Sequence, residues 1–132
     1  MIANPMFRTI VVGTDGSETA RQAVREAAEL AAALGASIEL VSAYEPGRRE
    51  ACEATLREGA AEAEAAGVAV RTYAREGDAA DAILDVAEER GADLIVVGNK
   101  GMTGAKRFLL GSVPNKVSHH APCSVLIIRT TG

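Results

Sequence analysis

The chain predicts an open, doubly wound α/β fold: a five-stranded parallel sheet in the order 3-2-1-4-5, with helices on both faces. Three observations lead there. Short runs rich in β-branched residues alternate with longer Ala/Glu/Arg-rich stretches, the rhythm of parallel strands joined by helical crossovers. The helical stretches stop at Gly35, Gly67 and Gly91, each placed where a left-handed helix terminator belongs. Apolar residues make up 48% and aromatics only 3%, so the core is aliphatic, built from Val, Ile, Leu and Ala.

The first strand is Arg8 to Gly13 (RTIVVG), a continuous apolar run suited to a strand covered on both faces. After Thr14-Asp15-Gly16-Ser17-Glu18 comes a helix with Ala20, Ala23, Val24, Ala27, Ala31 and Leu34 on one stripe. Ser37 to Ala43 is the second strand. Arg48 to Ala66 is the second helix, with Cys52, Leu56, Ala60 and Ala63 as its stripe. Val68 to Ala74 alternates apolar with polar, as a strand nearer the edge does. Asp78 to Arg90 is the third helix and Leu94 to Val97 the fourth strand. A Gly-rich loop follows, then a short helix from about Ser112 to His120 and a last strand from Ser124 to Arg129.

Length and charge narrow the function. The 132 residues suit one domain spanning 1–132. A formal net charge of −4, with no basic tract, argues against a nucleic-acid surface. Cys52 and Cys123 lack the spacing of a zinc site and read as reduced intracellular thiols. No apolar run approaches the roughly 18–20 residues of a spanning helix, and MIANPMFRT is not a signal peptide. The expectation is a cytoplasmic protein without a membrane partner.

Open α/β sheets bind ligands outside the carboxyl ends of their strands, where strand order reverses. Those ends carry Gly13-Thr14-Asp15, Ala43-Tyr44, Glu76-Gly77 and Gly98-Asn99, and the order 3-2-1-4-5 opens the crevice between strands one and four. The loop from Gly98 to Ser112 then feeds a helix start at Ser112-Val113-Pro114, where Ser112 can cap and Pro114 lies in the first turn. Glycines let the backbone approach a ligand, and free N–H groups with the positive dipole end favour an anion. Lys100, Lys106 and Arg107 add positive charge. The loop is neither GxxxxGK[ST] nor GxGxxG, so P-loop and standard dinucleotide assignments fail.

The spacing Gly98-x2-Gly101-x9-Gly111-Ser112 resembles the nucleotide-binding branch of the universal stress protein family, which carries G-x2-G-x9-G-[S/T] after its fourth strand. Val11 to Ser17 is similar to that family's opening strand and turn, and His119 to Cys123 and Val125 to Arg129 extend the likeness downstream. The resemblance implies ATP as ligand. Asp15 would sit by the adenosine or reach a metal, beside Gly13 and Thr14, and Ala43 would offer backbone groups to the adenine edge. Gly98, Lys100 and Gly101 would line the ribose and phosphate side. Gly111, Ser112 and Val113 would present N–H groups to the β- and γ-phosphates, with Mg²⁺ or Mn²⁺ bridging the phosphates. It also implies a homodimer through Ser124 to Arg129, an edge strand that otherwise invites aggregation. Pro114 and Asn99 depart from the family's usual hydroxyl residues.

Alternative roles are weaker. Asp15 with Glu18 also fits a capping pair. His119 and His120 suit the negative end of their helix, and the Glu-rich second helix suits a solvated face. A regulatory or sensor module that binds ATP is the expected function. Slow ATP hydrolysis or nucleotidyl transfer has only Lys100, Thr103 and Asp15 to draw on, and a nucleotide-free dimeric interaction protein conflicts with the intact glycine spacing.

Overall fold

The computed structural model describes residues 6–99 and 110–130. These form β1 (Thr9–Gly13), α1 (Glu18–Leu34), β2 (Ser37–Tyr44), α2 (Arg49–Ala65), β3 (Val70–Glu76), α3 (Ala79–Glu89), β4 (Leu94–Gly98), α4 (Ser112–His120) and β5 (Ser124–Ile128). All four strand pairings are parallel and the order is β3-β2-β1-β4-β5, as the sequence predicts.

Strand alternation divides the core into two layers. Ile10, Val12, Ile38, Leu40, Leu94 and Val96 face α1 and α2, meeting Val24, Ala27, Ala31, Leu56 and Ala63. Val11, Val41, Ile95 and Val97 face α3 and α4, meeting Ile83, Val86 and Val117. Each fully buried Val, Leu or Ile contributes about 1.5–3 kcal/mol, which is why β1, β2 and β4 read as unbroken apolar runs. Small alanines on α1 let that helix lie close to the sheet.

Helix ends follow the glycines. Gly67 has φ +84°, Gly67 N–H reaches Glu64 O at 2.9 Å and Val68 N–H reaches Ala63 O at 3.4 Å, closing α2 with a Schellman turn. That turn absorbs Val68, which the sequence suggested as the first residue of β3; the strand instead starts at Val70 and continues to Glu76. Gly91 closes α3 in the same way, with Ala92 N–H on Ala87 O at 2.9 Å. At the start of α3, Asp78 accepts Asp81 N–H at 3.0 Å.

The crossovers place α1 and α2 on one face and α3 and α4 on the other. Strand order reverses between β1 and β4, so the carboxyl ends of β2, β1 and β4 border one crevice.

Candidate functional site

Two parts of this crevice are built differently. Beyond the ends of β1 and β2 lies a cleft of about 390 Å³, lined by Asp15, Ser42, Ala43, Tyr44, Arg48 and Thr55 among others. Asp15 brings the tight exit of β1 to the cleft's edge. Thr14 is buried, donates its N–H to Val41 O at 2.9 Å and accepts Gly16 N–H on its hydroxyl at 3.1 Å. Gly16 adopts φ +82°, and a Cβ there would lie 3.2 Å from the Thr55 side chain. Gly13 is needed for another reason: a Cβ would collide with Ile83.

Asp15 is exposed at this exit, and its Oδ1 accepts Ser17 N–H at 2.9 Å. The helix cap is Ser17, whose hydroxyl accepts Ala20 N–H at 3.3 Å. The Asp15–Glu18 capping pair therefore does not form. Asp15 belongs to an Asx turn that aims it at the cleft rim.

The second part is the start of α4. Gly111, at φ −64° and ψ 167°, is the cap residue, and it supplies no capping side chain. The expectation that Ser112 caps is corrected: Ser112 is the first helical residue and is exposed. Gly111 N–H is committed to Asn99 O at 3.0 Å. The first helical bond is Asn115 N–H to Gly111 O at 3.0 Å, and Pro114 has no N–H. Ser112 and Val113 are thus the first-turn amides that find no partner within α4 itself. Lys100 and Gly101 lie outside the described residues.

Asn99 organises this end. It donates its N–H to Ile128 O at 2.8 Å, and its Oδ1 accepts Thr130 N–H at 2.8 Å and the Thr130 hydroxyl at 3.1 Å. Lys116, one turn into α4, reaches Asp81 at 2.8 Å and Asp78 at 3.5 Å, tying α4 to the head of α3. The hydrogen bond from Asp81 N–H, then Lys116, holds the Asp78 carboxyl below its ordinary range, and the bond to Asp81 raises the Lys116 ammonium.

The cleft and the helix start sit at the same end of the sheet, on either side of β1. The sequence model described as "Universal stress protein family" matches residues 6–129. This chain belongs to that family. A universal stress protein of Mycobacterium tuberculosis is 37% identical over 146 aligned residues, covering 95% of this chain and 98% of its own length. A universal stress protein solved in complex with cAMP has a TM-score of 0.84 and 40% identity, covering 95% and 98%. The universal stress protein of Archaeoglobus fulgidus in complex with dAMP has a TM-score of 0.75 and 27% identity, covering 94% and 99%.

In this universal stress protein chain, the structure adds cleft residues that sequence reading did not select. Arg48, Ala51, Cys52 and Thr55 project from the head of α2 at i, i+3, i+4 and i+7, a spacing legible in the sequence. Cys52 is buried there with its Sγ 3.4 Å from Ser42 O, as a weak donor. His119 is tied to its own helix through Asn115 O at 2.8 Å. Among the described residues, no helix is long and apolar enough to cross a membrane, and no three His, Cys, Asp or Glu residues group to hold a metal ion.

Proposed function

We propose that the protein binds an adenine nucleotide, with ATP as the physiological ligand, and acts as a regulatory or sensor module in a cytoplasmic stress response. The observation that carries the reading is the placement of a 390 Å³ cleft and an open helix start at one end of the sheet. The cleft suits a base and ribose between Ala43 and the head of α2. The Ser112 and Val113 amides suit an anion, aided by the dipole of α4. A nucleotide with its base in the cleft and its phosphates at the helix start would engage both parts, and the solved relatives with cAMP and dAMP support adenine as the base.

The donor set fits the phosphates through Gly98, Gly111, Ser112 and Val113, with Gly111 giving close approach and its neighbours the N–H groups. The family likeness adds Lys100 and Gly101 to this set, both outside the described residues. A hard cation, Mg²⁺ or Mn²⁺, takes phosphate oxygens as its main ligands, with Asp15 the carboxylate placed to join them. We read the site as holding the nucleotide; a turnover rate above about 1 s⁻¹ would make the protein an enzyme instead. Pairing of two β5 strands gives a homodimer; Leu126 on that strand is 38% exposed.

Calorimetry with ATP and Mg²⁺ tests the reading, with Gly111→Val as the control. Gly111 has ordinary extended dihedrals, so Val fits the backbone while blocking close approach of a phosphate. Binding by the wild type and its loss in Gly111→Val support the site. Undiminished binding by the variant overturns it. Cyclic AMP is the second reading, favoured by the 40%-identical neighbour, and tighter binding of cAMP than of ATP selects it.

A further inference from the structure

We propose that a second cleft, at the opposite end of the sheet, binds a small oxyanion (a phosphate or carboxylate group) between Arg71 and Arg90. It measures about 360 Å³ and lies at the amino ends of β1, β2 and β3, lined by Thr9, Ser37, Glu39, Val70, Arg71 and Arg90 among others. Glu39 is the unusual residue. It stands in β2, between apolar neighbours, and its side chain is 5% exposed. A carboxylate in that position is costly unless it is paired and hydrogen-bonded.

Its bonds show what it does. The Glu39 Oε1 accepts Arg90 Nε–H at 3.2 Å and the Tyr73 hydroxyl at 3.3 Å. Holding a guanidinium by its Nε fixes the plane and leaves the two terminal nitrogens as donors, the fork that matches an oxyanion. Arg71 stands directly across from Glu39 in the parallel ladder and is exposed. It has no ion-pair partner among the described residues, whereas its neighbour Arg75 is committed to Glu89 at 2.8 Å. Two guanidinium groups against one carboxylate leave the cleft with one net positive charge. A buried carboxylate that orients one arginine, beside a second with no ion-pair partner among the described residues, is the arrangement of an anion subsite. It is independent of the nucleotide reading, since it shares no lining residue with the first cleft.

The test is amide NMR titration of the full chain with sodium phosphate and with sodium acetate, at ionic strength held constant with chloride. Saturable shifts at Glu39, Val70, Arg71 and Arg90 are expected; they should weaken in Arg71→Ala, while phosphate shifts at Ser112, which belong to the nucleotide site, stay as in the wild type. Saturation by phosphate alone assigns a phosphoryl ligand, and saturation by both assigns the wider oxyanion class. Arg71→Ala removes an exposed side chain and keeps the fold, and it weakens binding by about tenfold or more through loss of a charge-assisted pair. Shifts that never saturate, or an Arg71→Ala titration identical to wild type, overturn the proposal.

Discussion

Thr130 donates twice to one atom of Asn99, from its N–H at 2.8 Å and its hydroxyl at 3.1 Å. With Asn99 O holding Gly111 N–H, this residue joins the end of β4, the exit of β5 and the cap of α4. Asn99→Ala is expected to cost about 1–2 kcal/mol, the loss of a part-buried acceptor for two donors, read as a lower urea midpoint at unchanged slope. Ala keeps the backbone carbonyl that holds Gly111 N–H, so nucleotide affinity should change little in protein that is still folded. A several-fold loss would show that the Thr130 bonds, acting through Asn99, also place the α4 cap.

Gly13 closes the end of β1 against Ile83, which is only 2% exposed and whose terminal methyl stands where a Cβ would go. Gly13→Ala should therefore destabilise by about 1–3 kcal/mol through overpacking. Adding Ile83→Val removes the methyl in the way, and the double variant should recover part of the loss. Thermal denaturation of the four proteins gives the coupling; strict additivity would show that the two side chains do not meet.

The sheet and its order were legible in the sequence because buried parallel strands leave unbroken runs such as Ile10-Val11-Val12 and Leu94 to Val97, and because glycine punctuates the helices between them. What escaped was set by geometry that no run encodes. Val68 looked like strand and proved to be the last link of a Schellman turn. Ser112 looked like a cap because of its hydroxyl, but Gly111 holds that position by backbone dihedrals alone. Asn99 looked like a departure from the family pattern, and its role emerges only when β5 and α4 come together around it. Arg48 and Thr55 reach the cleft through the rotation of α2, which the apolar stripe of Cys52 and Leu56 already fixed without marking its polar flank.

Asp78 gives a pH dependence with a definite sign. Its folded carboxyl lies below its ordinary range, chiefly because it accepts Asp81 N–H. Stability from this group is present above the unfolded carboxylate range and is lost as pH falls through the lower, folded value. Asp78→Ala should cost about 1 kcal/mol at neutral pH, as for a lost helix cap. The gap between variant and wild type should close as the pH drops through the acid range below about 4. Urea titrations across that range check it; a gap that persists at the lowest pH would mean the cap works without its charge.

Glu39 and Arg90 separate two ways of disturbing one pair. Removing Arg90 leaves a carboxylate in the sheet with only the Tyr73 hydroxyl to hold it, whereas Glu39→Gln keeps an oxygen for both donors. Breaking a fully buried pair costs about 3–5 kcal/mol. The Arg90 side chain is 39% exposed, so water takes up part of that loss and about 1–3 kcal/mol is expected for Arg90→Ala. Glu39→Gln should cost less, because the hydrogen bonds survive and no buried charge is stranded. Chemical denaturation at neutral pH ranks the two variants. If Glu39→Gln proves the more damaging, the charge on Glu39 rather than its oxygen geometry is what keeps Arg90 and the end of α3 against the sheet.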